Sequence, residues 1–193
     1  ANTVEGRPGS VTGSFAFSFA PQTQGTRAPL TGDNRTQYRN ERDRLLNILK
    51  NSDSCKAFLK DKLGLSASRI ANAVRGQRAF DGTASTISTE AAGIQSSKGL
   101  FAGMSVQQFF ETLTPDAAAA VYASGRGSTP RDVYYAPSGL NAATILHETL
   151  HTFYGSTYPD DKSLATKLGV SDEDFNREGS RSINTALRNA GCG

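Results

Sequence analysis

LHETLHTFYG, residues 146 to 155, holds both histidines of the 193-residue chain, four positions apart and with a glutamate beside the first. Random ordering of this composition, with its two His and seven Glu, yields His-Glu-x-x-His about once in a few thousand arrangements, so chance is a poor account of it. Residues four apart on an α-helix lie one above the other on the same face, and the neighbouring letters supply the helix. From Asn141 to Phe153, the residues Ala142, Ile145, Leu146, Thr149, Leu150 and Phe153 can face a core, and Gly155 offers a left-handed stop. On such a helix His147 and His151 aim two imidazole nitrogens at one point, at the roughly 2.0–2.1 Å that zinc requires. Glu148 stands beside them, placed to take a proton from a water held by the ion, whose pKa zinc lowers toward ~7. Two imidazoles and a carboxylate on a buried face are costly without a partner. That cost favours a metal site over a pair of helix-face histidines. The set lacks only its third ligand.

Working outward, the pattern before the motif helix reads as a hairpin, with a strand through Val121 and Tyr122, a Gly-rich turn, and a strand through Val133, Tyr134 and Tyr135. The turn GRGST lacks the Lys and spacing of a phosphate-binding loop, so no nucleotide role is assigned to it. Further upstream, Ser105 caps a helix bearing Val106, Phe109, Phe110 and Leu113, and residues 80 to 104 show no period. Thr36 to Lys50 carries Tyr38, Leu45, Ile48 and Leu49 at helical spacing. A second helix, capped by Asp53 or Ser54, brings Cys55, Phe58, Leu59 and Leu63 inward and ends near Gly64; SASRIANAVRGQ is a third. Residues 1 to 33 are rich in Gly, Pro, Ser and Thr and form a loop-rich segment with one strand, where Phe15, Phe17 and Phe19 alternate with small residues. After the motif, a short helix spans Leu164 to Leu168 before Gly169, and Ser171 with Asp174 resembles a capping box. A last helix buries Ile183, Ala186 and Leu187 and stops at Gly191. The fold expected is α+β, mostly helical with a small sheet beside the motif helix.

Composition narrows the partners. The net charge is +3, with 21 Lys and Arg against 18 Asp and Glu. The basic stretch RTQYRNERDR is interrupted by Glu41 and Asp43, so it reads as a solvated helix face rather than a nucleic-acid stripe. No run approaches the roughly 18 apolar residues needed to span a bilayer. The opening ANTVEGRPGS lacks the features of a signal peptide and reads as a mature N-terminus or a cut from a longer polypeptide. Cys55 and Cys192 are far apart in sequence, and a bond between them, favoured over two buried free thiols, would be worth roughly 3 to 5 kcal/mol. If it forms, the protein works outside a reducing cytosol.

The motif stretch resembles the active-site helix of the zincin metallopeptidases, in which the two His bind zinc and the Glu is general base and proton shuttle. The resemblance implies those roles for His147, His151 and Glu148, and a zincin-like metallopeptidase domain over residues 34 to 193. It also separates subfamilies. The metzincin pattern would place Gly and His where Tyr154 and Thr157 stand, so that class is excluded and a carboxylate must be third ligand. YGSTYPDD offers Asp160 and Asp161, an arrangement similar to the Asp-ligand zincins, although the Gly-Thr-x-x-Asp element of the aspzincins is missing. DKSLATKLG, SINTALRNAGC and DSCKAFL resemble small C-terminal domains of bacterial secreted YD-repeat (Rhs-type) proteins, and in that alignment Asp161 is the ligand. Asp160, Glu173 and Glu178 remain alternatives, and one of the adjacent Asp residues is expected to cap the following helix. Tyr134, Tyr135 and Tyr158 are candidates to stabilise an oxyanion, packed aromatics being the plainer reading. The strand at Val133 to Tyr135 is expected at a sheet edge, where an extended peptide adds as a further strand.

The leading expectation is therefore a monomeric, secreted or extracytoplasmic zinc endopeptidase, in which Glu148 activates a zinc-bound water against a protein or peptide substrate. It needs no nucleic acid and no membrane. The alternative is a toxin or interaction module of a larger secreted repeat protein, its zinc structural or directed at one partner. A zinc hydrolase of a non-peptide bond is a third possibility.

Overall fold

The computed structural model describes residues 26–86, 104–105, 108, 132–153 and 160–193, with the backbone alone at 2–4, 14–15 and 119–122. Helix formation begins where apolar spacing begins. Helix α1, Gly32–Asn51, buries Tyr38, Leu45 and Leu49 along one stripe. It starts before the expected Thr36, with Arg35 N donating to Thr31 O at 3.2 Å. Ser52 ends α1 and opens α2, Asp53–Leu63, accepting from Cys55 N at 3.2 Å, so the cap sits just ahead of the expected Asp53 or Ser54. Gly64, at φ 67°, stops α2 in the left-handed conformation. Helix α3, Ala67–Gly76, is capped by Ser66 and buries Ile70, Ala71 and Val74.

The strands are β1 (Asn2–Val4), β2 (Ser14–Phe15), β3 (Arg78–Asp81), β4 (Ala119–Tyr122) and β5 (Asp132–Tyr135), in the order β2-β1-β4-β5-β3. The expected hairpin forms as the antiparallel β4–β5 pair. Strands β1 and β3 were not legible; β3 is four residues long, too short to show a period, and takes β5 as a parallel partner. The register sets Arg78 opposite Asp132. Arg78 Nη2 lies 2.6 Å from Asp132 Oδ1 and Arg27 Nε 3.0 Å from its Oδ2, around a carboxylate only 2% exposed. One expectation is corrected. Strand β5 is not an edge, because β3 and β4 flank it. The outer side of β3 is itself occupied by the chain, with Pro29 bridged to Phe80 and Asp81 N donating to Ala28 O at 2.8 Å. Phe17, Phe19, Val106, Phe109, Phe110 and Leu113 lie outside the described residues, although Ser105 Oγ accepts from Gln108 N at 3.1 Å, as a cap does.

A 3-10 turn, Pro137–Gly139, leads from β5 into α4, Ala142–Leu150, whose nine residues are all buried. A helix buried on every side stands at the centre of its domain. Helices α1 and α3 pack on it from one direction. From another comes the last helix, α7 (Arg181–Asn189), against which α5 (Asp161–Lys167) and α6 (Asp172–Glu178) pack. Ser171 caps α6 by accepting from Asp174 N at 3.1 Å, as the sequence suggested. Ala186, expected in the core, is half-buried, whereas Asn184 takes a buried place beside Ile183 and Leu187. Cys55 and Cys192 form a disulfide across 137 residues; closing a loop of that length contributes about 5 kcal/mol in the chain-entropy account. The chain is thus α+β and mostly helical. Among the described residues no helix is long and apolar enough to cross a membrane.

Candidate metal centre

Asn141 opens the motif helix, its side-chain oxygen accepting from Thr144 N at 2.9 Å. The helix ends sooner than the apolar pattern suggested, and His151 is its C-cap at φ −67°, ψ −14°. Thr152 and Phe153 then follow in a tighter turn, donating to Thr149 and Leu150 carbonyls. His147 and His151 remain one turn apart on the same face, and their Nε2 atoms lie 3.1 Å from each other.

The two adjacent aspartates divide the work. Asp160 caps α5, accepting from Ser163 N at 2.7 Å. Asp161, the first residue of α5, is fully buried, and its Oδ1 lies 2.9 Å from His147 Nε2 and 2.8 Å from His151 Nε2. Three donor atoms thus converge in one buried group that is suited to a metal ion. A tetrahedral zinc site with bonds of about 2.0–2.1 Å separates its donors by about 3.3–3.4 Å, close to these spacings. The alternatives do not join it. Glu173 is exposed, and Glu178 accepts from Arg177 at 3.3 Å on the surface of α6.

His147 has a further buried partner. His147 Nδ1 faces Asn184 Oδ1 at 3.0 Å, and the amide Nδ2 donates to Thr144 Oγ1 at 3.2 Å. When Nδ1–H donates to that oxygen, the neutral ring keeps its lone pair on Nε2. That lone pair points at a carboxylate oxygen 2.9 Å away. A positive charge among these groups, carried by a proton or by a metal ion, offsets the buried carboxylate charge. Asp161 Oδ2 is likewise buried with no hydrogen-bond partner. Burial works to raise the Asp161 carboxyl, but the two imidazoles bonded to it override this and hold it below the usual carboxylate range.

Glu148 is fully buried, next to His147 in sequence. Tyr134 and Tyr135 are packing residues rather than part of the group. Tyr135 donates to Gln77 Oε1 at 2.7 Å. Tyr134 stacks on Phe80 at 5.5 Å, and burial, helped by the Asp132 charge, pushes its hydroxyl up to about 12. Tyr158, with Tyr154, Gly155 and Thr157, lies outside the described residues. Two contributors escaped the sequence reading. Asn184 gave a faint signal, a poor helix former placed beside Ile183 on an apolar face. Gln77, whose Nε2 donates to Thr149 Oγ1 at 3.0 Å, gave none. No protein-family model, curated protein or solved structure matches this chain.

Proposed function

We propose that this chain is a zinc-dependent endopeptidase, acting outside the cytosol, with His147, His151 and Asp161 as metal ligands and Glu148 as general base. One observation carries the reading: the two imidazole nitrogens beside Glu148 and a carboxylate oxygen from α5 meet within 3.1 Å of one another. Zinc held there supplies a Lewis acid for a carbonyl and makes hydroxide available near pH 7. His147 is fixed through Asn184, so it offers a lone pair rather than a proton. Glu148 accepts the proton of the attacking water and returns it to the departing amine, a role that a carboxylate in a buried site is suited to. The resemblance to the zincins makes a peptide bond the substrate class, and the disulfide fits an oxidising compartment. The test is Glu148→Gln. Zinc should remain at one ion per chain while hydrolysis of an unstructured polypeptide disappears, and full activity in that variant would remove Glu148 from the mechanism.

A second reading, that zinc holds the fold of a toxin or interaction module or serves one partner, draws on a specific feature. His147, Glu148 and Asp161 are 0% exposed, and β5 is not an edge to which a peptide adds. A catalytic zinc keeps one position open, whereas a structural zinc is closed. Chelation separates the two readings. If the wild type hydrolyses nothing yet loses most of its thermal stability when zinc is stripped, the structural reading stands.

A further inference from the structure

The donor group does not stand alone. Asn184 is 6% exposed in the middle of α7, where an amide is a poor helix former, and it spends its hydrogen bonds on α4. We infer that Asn184 is a positioning residue of the metal centre, and that the Cys55–Cys192 disulfide acts on the centre through it. The inference rests on the metal-binding reading above.

Helix α7 meets α4 at three levels. Arg188 Nη2 donates to Asn141 Oδ1, the cap of α4, at 3.3 Å. Asn184 joins Thr144 and His147. At Gly193 a Cβ would come within 2.9 Å of Ala143 Cβ, so the backbone there lies directly against the motif helix. The tie that holds this arrangement is Cys192, fully buried, its N–H bonded to Leu187 O at 2.9 Å and its sulfur to Cys55 of α2. A nine-residue helix is marginal by itself, so α7 keeps its register by packing and by this tether. Register decides whether Asn184 Oδ1 meets His147 Nδ1. When it does, the Nδ1 proton is held and the Nε2 lone pair is aimed at the other donors; when it does not, the ring is free to rotate and change tautomer. Loss of such an outer partner typically weakens metal binding 10–100-fold.

Reduction by a dithiol delivers two electrons and two protons to the sulfur–sulfur bond, leaving two cysteine thiols and an oxidised dithiol, and releases the far end of α7. Metal affinity falls with it. Linkage makes the effect reciprocal, so bound metal resists reduction of the disulfide by the same factor. A tenfold coupling corresponds to about 30 mV in the midpoint of this two-electron couple.

The experiment is zinc affinity, by competition with a chromophoric chelator and without reductant, for wild type, Asn184→Ala, Cys55→Ser/Cys192→Ser and the triple variant. Asn184→Ala should bind about 10–100-fold more weakly, the cysteine pair at least tenfold, and the triple variant little worse than the weaker parent. Asn184→Asp keeps an acceptor for Nδ1–H and should restore affinity to within a few-fold even where it lowers thermal stability, which a merely structural role would not do. Additive losses, a cysteine variant that binds like wild type, or no rescue by Asp would each overturn the inference. Should the cysteine variant fail to fold, the wild-type disulfide midpoint in glutathione buffers, with and without zinc, answers instead: a shift of about 30 mV or more supports the coupling, and an unchanged midpoint refutes it. Wild type that binds no zinc would sink the metal reading itself, whereas equal affinity in all variants would leave that reading intact and remove only this one.

Discussion

Where α4 meets α1 and α3, it is held by neutral groups. Gln77 joins three elements, its Nε2 donating to Thr149 and its Oε1 accepting from Tyr38 at 2.9 Å and Tyr135 at 2.7 Å, amid an apolar core. Where α4 meets α5 and α7, the same helix meets a carboxylate and an amide that converge on its histidines. The first contact is scaffold, satisfied within the protein. The second is polarised, a buried carboxylate against two imidazoles, and is a group that could hold a metal ion. A stable core and a candidate metal centre can share one helix because they use different faces of it.

The comparison can be broken most severely on the donor side. Asp161→Ala removes one of three donors, and zinc affinity should fall by about three orders of magnitude, given roughly 10–16 kcal/mol for a complete zinc site. Elemental analysis after gel filtration reads this as loss of the stoichiometric metal, and retained zinc would dismiss Asp161 as a ligand. On the scaffold side, Gln77→Ala leaves the Tyr38 and Tyr135 hydroxyls without their acceptor. Denaturant unfolding should show a loss of about 2–4 kcal/mol, with metal content unchanged in the folded protein.

Alkali probes the scaffold without mutation. Burial pushes the hydroxyls of Tyr38 and Tyr134 up to about 12. The neutral forms are thus favoured by folding. Stability is full below pH 10, the unfolded value, and falls through pH 12, by about 1.4 kcal/mol per pH unit for each tyrosine. Phenolate absorbance should accordingly rise together with unfolding; ionisation of all six tyrosines near pH 10 in a still-folded chain would contradict it. The smallest effect sharpens the contrast between neighbours. Asp160→Ala removes a helix cap and should cost about 1 kcal/mol, with zinc retained.

Legibility in the sequence followed the distance over which each interaction acts. The histidine pair was plain because a helix places residues four apart together, and α1, α2 and α3 were plain because their apolar spacing is local. Asp161 was readable only as one of several carboxylates, since no local pattern says which carboxylate returns to the histidines. Asn184 and Gln77 act across 37 and 72 residues, and no periodicity records a partner at that range. The interior position of β5 was missed for the same reason: its parallel neighbour β3 comes from 54 residues upstream, through four residues without a pattern. The disulfide was foreseeable only as a possibility, because two cysteines state that a bond is available and not that the fold brings them together.

Chain order gives the Cys55–Cys192 bond a further meaning. Asp161, Asn184 and Cys192 all follow α4, so a ribosome or an export pore releases the histidine pair before any group that completes its surroundings. The bond forms only when α7 comes back to α2. The disulfide is thus the last of these constraints that the growing chain can acquire.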